Sequence, residues 1–329
     1  GQVALGDSSV KRPMVIILAD RQAVIHSSGG TDLAKSAVGL ISTLRKGDGF
    51  AFFSLDKPTE FLGPILANDP DFKTFQEEVD RALSSLGSTR TPNIVSALTE
   101  AYNLLGAERA GAGSTVYFIT GGGTQKSLVQ ATAHMEPLVT LFKESDWSIT
   151  GLSLPGSSVE VTEFLERIST DTGGESFALS IPIGFRDLSN KILMDEANGS
   201  LNRLADEVMS PNDVLTSGFD IAPGTSETNL MFFKGGPWGS LRLSNPSGFE
   251  ASSGDRTAST VVETPHVVIW KMIDPTPGHW KVDVRGMNGV LSGWHYAVNK
   301  YTVALESYGY IAVNEPITLV AYVTDGEDK

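Results

Sequence analysis

A single aspartate closes the first apolar run of the sequence. The run "MVIILA" spans Met14 to Ala19, and Asp20 follows it directly. A short apolar run of this kind predicts a buried strand. A carboxylate at a strand end either caps the next turn by accepting backbone N–H bonds or offers oxygen atoms to a hard cation. The residues around Asp20 therefore decide whether this strand end has a structural role or belongs to a metal site.

Other stretches with residue types suited to chemistry favour structural interpretations. "TGGGTQ" (120–125) follows a strand candidate, but it lacks the Gly-x-Gly-x-x-Gly spacing and the Lys-Ser/Thr of a phosphate loop. "GDSS" (6–9) precedes the first strand, whereas a hydrolase nucleophile would end one. The histidines are scattered, and none are paired at metal-ligand spacing on a predicted helix. No nucleophile–base pair, carboxylate pair or cofactor loop stands out, so we do not expect an enzyme.

Composition narrows the possible partners. A length of 329 residues suggests two domains. The formal net charge of −14 argues against a nucleic-acid partner, which would require a basic surface. The chain has no cysteine, so neither disulfides nor thiolate metal sites are expected. No apolar run approaches the roughly 18 residues of a membrane span, so we expect no membrane span in this chain.

Strand and helix patterns alternate over the first two thirds of the chain. The predicted strands are "MVIILA", "FAFFSL", "TVYFIT", "SITGLSL" and "SFAL". The predicted helices are "TDLAKSAVGLISTLRKG", "DPDFKTFQEEVDRALSSLG", "TPNIVSALTEAYNLLG", "SLVQATAHMEPLVTLFKES", "EVTEFLERIST" and "LNRLADEVM". Alternation of this kind implies parallel strands with right-handed crossovers. The expected fold is α/β, with a doubly wound, mostly parallel sheet that binds ligands outside the carboxyl ends of its strands.

The pattern changes near Ser210, where the turn-rich stretch "SPNDVLTSG" begins. Short strand candidates separated by Gly, Pro, Ser and Asn clusters then predict an antiparallel β-sandwich. We expect an N-terminal segment over 1–12, the α/β domain over 13–210 and the β-sandwich domain over 211–306. Residues 307–329 read as further strand material that either closes the sandwich or starts another β module, and we expect the chain to be part of a larger protein.

The stretches "MVIILADRQAV", "TRTPNIVSALTEAYNLL" and "STVYFITGGGT" resemble a von Willebrand factor type A domain, which is Rossmann-type in its winding. Later stretches, "GFDIAPGTSETNLMFFKGG" and "IDPTPGHWKVDV", resemble the β-sandwich that follows such a domain in hemicentins and in the calcium-activated chloride channel regulator family. The resemblance implies an adhesion or interaction module that is extracellular, either secreted or at the cell surface. Because no His-Glu-x-x-His motif occurs, the metalloprotease activity of the chloride-channel regulators does not carry over.

The same resemblance implies a metal-ion-dependent adhesion site built from an Asp-x-Ser-x-Ser loop, a Thr and a second Asp. Asp20 matches, whereas Gln22 and Val24 replace the two Ser, and Gly121 stands in place of the second Asp. Thr89 or Thr91 matches the Thr, and a rearranged loop can bring in Ser27 or Ser28. We therefore expect a degenerate metal site. The candidate residues of the binding face are Asp20, Gln22, Ser27, Ser28, Thr89, Thr91, Gly121 and Gly122.

These patterns predict a non-enzymatic protein-binding, adhesion or structural module, whose partner is a protein. No metal or other cofactor is expected. The alternative is a metal-dependent adhesion receptor domain with a remodelled site, holding Mg or Ca at Asp20.

Overall fold

The chain divides into two compact units. A computed structural model describes residues 11–45, 47–85, 93–121, 134–194, 199–236, 239–248, 250–252, 260–299, 302–306 and 320–324. The first unit comprises Gly1–Ile192 and Thr264–His266, and the second comprises Leu193–Glu263 and Val267–Lys329.

The first unit contains a six-stranded sheet in the order β3-β2-β1-β4-β5-β6. Its strands are β1 (Met14–Ala19), β2 (Gly49–Ser54), β3 (Lys57–Leu66), β4 (Thr115–Thr120), β5 (Ser148–Ser153) and β6 (Ser176–Ala178). All neighbours pair in parallel except β3, which runs antiparallel to β2 at the edge. The predicted α/β class, with a doubly wound and mostly parallel sheet, is confirmed.

The helices of this unit follow the apolar spacing of the sequence. They are α1 (Arg21–His26), α2 (Gly30–Leu44), α3 (Phe72–Ser84), α4 (Ile94–Ala107), α5 (Glu136–Glu144), α6 (Val159–Asp171) and α7 (Ile183–Met194). In α3, the buried residues Phe72, Phe75, Val79 and Leu83 recur at steps of three and four, as expected for an amphipathic helix. The central strand β1 is buried along its whole length.

One predicted helix is wrong. "LNRLADEVM" lies in strand β7 (Gly199–Met209), which pairs antiparallel with β15 (Gly289–Asn299). Cross-strand pairing along nearly the whole strand outweighs the helical spacing of its apolar residues, because tertiary context overrides local propensity. The last helix of the α/β unit is instead α7, in a stretch for which we predicted no element.

The second unit consists of antiparallel sheets. One sheet has the order β11-β10-β14-β8 and the other β12-β13-β9-β15-β7, and a separate two-stranded sheet pairs β16 with β17. The remaining strands are β8 (Val214–Ile221), β9 (Thr225–Lys234), β10 (Ser240–Ser244), β11 (Glu250–Ser252), β12 (Thr260–Glu263), β13 (Val267–Ile273), β14 (Gly278–Arg285), β16 (Thr302–Glu306) and β17 (Val320–Thr324).

Both larger sheets contribute to one core. Phe219 and Trp280 come from the four-stranded sheet, and Phe232 and Trp270 come from the five-stranded sheet. A core shared by two antiparallel sheets is the arrangement of a β-sandwich. Ser210, where the sequence suggested a domain boundary, lies between β7 and β8, and both strands belong to the second unit.

Candidate binding face at the carboxyl ends of the central strands

Asp20 and Gly121 lie at the point where the strand order of the first unit reverses. β1 has β2 on one side and β4 on the other, so the chain leaves these strands toward opposite halves of the sheet. Asp20 follows β1 and Gly121 follows β4, and the Asp20 backbone N–H donates to the Ile119 carbonyl at 2.9 Å. Ligands of doubly wound sheets bind in the crevice that forms at such a reversal.

The Asp20 carboxylate is engaged by its own chain. β1 passes directly into α1, and Asp20 is the N-cap of that helix. Its Oδ1 accepts from the Ala23 backbone N–H at 3.1 Å, and its Oδ2 accepts from the Thr120 hydroxyl at 3.3 Å. Asp20 is only 2% exposed. Both carboxylate oxygens thus have protein donors, which fits the capping role.

Burial raises the pKa of Asp20 above its ordinary value. Desolvation is the largest cause, and the hydrogen bonds from Ala23, Thr120 and Gln22 act in the opposite direction. The negative charge of nearby Asp56 raises the pKa further. The ionised form of this carboxylate therefore lowers the free energy of unfolding of the protein.

The two residues at the positions where the resemblance implies serines, Gln22 and Val24, are both on α1. Val24 is fully buried and packs inside the unit. Gln22 is partly exposed, and its backbone carbonyl lies 2.7 Å from Nδ1 of His26. An isopropyl group offers no oxygen to a cation, so Val24 has a packing role.

Ser27 and Gly121 are close neighbours. A Cβ atom built on Gly121 would lie 3.1 Å from the Ser27 hydroxyl oxygen and 3.4 Å from the Ala23 Cβ. Ser28, the next residue, is exposed. We use the name carboxyl-end face for this end of the sheet, where Asp20 and Gly121 are buried, Gln22 and Ser27 are partly exposed and Ser28 is exposed. The other candidates, Thr89, Thr91 and Gly122, lie outside the described residues.

A buried ion pair that we did not anticipate lies beside this face. Arg21 Nε and Nη2 donate to the two oxygens of Asp56 at 3.0 and 2.6 Å. Arg21 Nη1 donates to the Ser85 hydroxyl at 2.9 Å, and the Ser54 hydroxyl donates to Asp56 Oδ1. The side chains of Arg21 and Asp56 are 12% and 4% exposed. Asp56 directly follows the predicted strand "FAFFSL", and this position is the feature of the sequence that could have indicated that Asp56 lies near Asp20.

Arg21 also lines a groove of about 770 Å³ between β3 and α3. Phe52 and Leu62 contribute apolar surface to the groove, and Arg81 and Ser85 line it from the helix side. Arg21, which directly follows Asp20, thus belongs both to the ion pair and to the wall of the groove.

At two of the described positions where the von Willebrand resemblance implies a metal ligand, the residue has no side-chain oxygen. Asp20 already accepts two hydrogen bonds, Val24 is buried and apolar, and Gly121 has no side chain. Across the described ranges, no three His, Asp or Glu side chains are grouped so that they could hold a metal ion. None of the helices in those ranges is long and apolar enough to span a bilayer.

No protein-family model and no curated protein matches the sequence. Solved structures similar to this chain include a von Willebrand factor type A protein from Catenulispora acidiphila, with a TM-score of 0.43 and 13% identity. That likeness covers 90% of this chain but only 61% of the other.

Two shorter structures are also similar. BatB, a conserved hypothetical protein from Bacteroides thetaiotaomicron, has a TM-score of 0.40 and 15% identity over 56% of this chain and 98% of its own. The von Willebrand domain of the type V pili tip protein Mfa5 from Porphyromonas gingivalis has a TM-score of 0.39 and 12% identity over 58% and 99%. Such distant likenesses carry no argument about function. The sheet order and the helices of the first unit are those of a doubly wound α/β fold.

Proposed function

We propose that the first unit is a non-enzymatic interaction module that binds a protein partner through the carboxyl-end face, without a bridging cation. The observation that carries this proposal is the state of Asp20. Its two oxygens accept bonds from Ala23 and Thr120, and it caps α1 in a buried position. A carboxylate used in this way is poorly available to a metal ion, so the degenerate metal site is part of the proposal.

The location of the face supports a binding role. The strand order reverses between β1 and β4, and ligands of this class of sheet bind at that reversal. Ser28 is exposed, and Arg21, which directly follows Asp20, lines a groove between β3 and α3. The first unit resembles von Willebrand A domains in sequence, and the second unit resembles the sandwiches of hemicentins and chloride-channel regulators. These resemblances support an adhesion role at the cell surface or outside the cell.

A metal-dependent adhesion receptor is the second candidate. The observation that favours it is the Ser27 hydroxyl, which lies against Gly121 and offers an oxygen on the carboxyl-end face. Calorimetric titration with Mg, Mn and Ca separates the two functions. We expect no binding tighter than about millimolar, the weak end of protein calcium sites. Micromolar binding that is lost in Asp20→Ala would establish the second candidate instead.

Partner binding is tested by affinity capture with the immobilised protein, once with EDTA and once with Mg and Ca. We expect the same captured proteins in both buffers and their loss in Ser28→Arg, which places a bulky cation on the face. The matched control is Asn103→Arg on the exposed side of α4, which should capture as the wild type does. Capture that requires cations, or that Ser28→Arg leaves unchanged, contradicts the proposal.

A further inference from the structure

A second pocket of the first unit, with a volume of about 600 Å³, lies at the amino ends of the central strands. Its lining includes Met14 and Gly49, which are the first residues of β1 and β2. These two strands run in parallel, so their amino ends lie together at the end of the sheet opposite Asp20. The pocket is therefore separate from the carboxyl-end face, and its volume is typical of a small-molecule site.

Three cationic side chains converge on this pocket, from Lys11, Arg12 and Arg109. Within the described ranges, none of the three forms an ion pair or a side-chain hydrogen bond. The acids in the described lining are Asp69 and Glu108, so three cations against two acids give it a formal charge of +1. The whole chain has a formal net charge of −14. A concave site lined by unpaired cations on an acidic protein concentrates anions.

The backbone of Arg109 shows that the end of α4 does not explain this arginine. Its φ is 52°, in the left-handed region, and it occupies the position after the C-cap, where glycine or asparagine is usual. The Arg109 N–H donates to the Gly106 carbonyl at 3.1 Å. The Ala110 N–H donates to the Leu105 carbonyl at 2.9 Å. The backbone thus closes the helix by itself, and the exposed Arg109 side chain is available to a ligand.

Apolar surface lies beside these cations. Ile65 is partly exposed and Leu66 is 38% exposed, and both line the pocket together with Pro13 and the buried Met14. A small inorganic anion would leave this apolar wall in water. A ligand that has both an anionic head and an apolar body would contact the cations and cover the wall.

We propose that this pocket binds a small organic oxyanion with an apolar body. Arg12 and Arg109 contact its carboxylate or phosphate group, and Ile65 and Leu66 contact its apolar body. A planar guanidinium matches the oxygen atoms of both groups in a two-point contact and keeps its charge at any pH that proteins tolerate. This site goes beyond the proposed function, because it lies at the other end of the sheet and needs no protein partner.

The competing explanation is that the three cations are solvated surface charges. In that case the pocket would not distinguish an anion from a cation of the same shape. Calorimetric titration of the whole chain with four probes of equal chain length separates the two explanations. The probes are octanoate, octyl phosphate, octylammonium and octanol.

We expect octanoate or octyl phosphate to bind at least about tenfold more tightly than octylammonium and octanol, because a charge-assisted hydrogen bond contributes about that much. The tighter of the two oxyanions shows whether the natural ligand carries a carboxylate or a phosphate. Equal binding of all four probes, or no saturable binding of either oxyanion, overturns the proposal.

Arg109→Gly tests the role of the cation with little risk to the fold, since glycine adopts a φ of 52° without strain. Its unfolding midpoint should be close to that of the wild type or above it, and its affinity for the preferred oxyanion should fall about tenfold. The control is Arg203→Gln in β7, which removes an exposed cation from the second unit and should leave the affinity unchanged.

A folded Arg109→Gly that binds the oxyanion as tightly as the wild type overturns the proposal. Arg12→Gln covers the case in which Arg109→Gly does not fold. Arg12 is exposed, and its loss should also weaken binding of the oxyanion about tenfold. Wild-type affinity in Arg12→Gln, in that case, overturns the proposal as well.

Discussion

Gly121 and Ser27 approach each other so closely that no side chain fits at residue 121 without displacement. A Cβ atom there would lie 3.1 Å from the Ser27 hydroxyl oxygen and 3.3 Å from the Leu154 Cβ. The von Willebrand resemblance places an aspartate at this position, and in this protein the space is filled by neighbours. Local packing therefore leaves little room for a side chain at residue 121.

This contact predicts the effect of Gly121→Ala. The added methyl group forces Ser27 or Leu154 to shift, which should lower the free energy of unfolding by about 1–2 kcal/mol. The matched control is Gly106→Ala in α4, where an added Cβ meets nothing within 4 Å. At that position alanine should raise the free energy of unfolding by about 0.5 kcal/mol, because alanine favours the helical conformation more than glycine does. Urea denaturation measures both, and equal effects would contradict this account.

Asp20→Asn should stabilise the protein at neutral pH. The Asn amide oxygen can still cap α1 through Ala23, and the buried negative charge is removed. Because the folded-state pKa of Asp20 is raised, the ionised form opposes folding above that pKa. The wild type regains stability as the pH falls through the folded-state pKa toward the unfolded value of about 3.8.

Urea denaturation of the wild type and of Asp20→Asn at several pH values tests this predicted pH dependence of the free energy of unfolding. The advantage of the variant should be largest near neutral pH and should shrink on acidification. A difference in stability that stays constant from neutral to acidic pH, or a variant less stable than wild type at neutral pH, contradicts it.

His295 predicts acid sensitivity of the second unit. It is 2% exposed, its Nε2 lies 2.7 Å from the Thr228 hydroxyl, and its ring lies 4.6 Å from that of Phe219. Burial lowers its pKa from 6.5 to about 4. The unfolded chain therefore takes up a proton at a higher pH than the folded one, so acidification favours unfolding.

As the pH falls from about 6.5 to about 4, His295 should lower the free energy of unfolding progressively, by about 3 kcal/mol in total. The measurement is the free energy of unfolding across this range for wild type and His295→Gln, which cannot be protonated. The wild type should lose stability relative to the variant as the pH falls. Parallel profiles would contradict the assignment.

Lys271 and Glu227 form a second ion pair that can be dissected. Their charged atoms are 2.7 Å apart, their side chains are 9% and 19% exposed, and the Asn229 amide also donates to Glu227 at 2.9 Å. Lys271→Met leaves Glu227 without its cation and should lower the free energy of unfolding by about 3 kcal/mol. Lys271→Met/Glu227→Gln should recover most of that loss in a double-mutant cycle. A strictly additive cycle would show that the pair is not coupled.

The central part of the α/β fold was predictable from local pattern. Runs such as "TVYFIT" are buried strands in the predicted places, and α3 buries the apolar residues that its spacing indicated. The edge strand β3 was missed because Pro58 and Pro64 argue against a strand. Prolines are tolerated at a sheet edge, and an edge position depends on topology that local pattern does not specify.

Some residues of the candidate site could also be predicted from local sequence pattern, and others could not. Asp20, Ser27 and Gly121 were recognisable because they follow predicted strands or lie in the first loop. The ion pair of Arg21 and Asp56 was missed, because the alternation of strands and helices does not specify that β1 and β2 are neighbours in the sheet. Strand β7 (Gly199–Met209) was missed because its partner β15 lies far along the chain.

The direct passage from β1 into α1 has a kinetic consequence. No loop separates strand from helix, and Asp20 is hydrogen-bonded to both Ala23 and Thr120. Under the proposed function, we therefore expect these residues to be in place before a partner binds. A partner then loses little conformational entropy in ordering this surface. Substitutions at the rim of such a preformed surface alter the lifetime of the complex far more than the speed of encounter, since orientation and diffusion alone limit its formation.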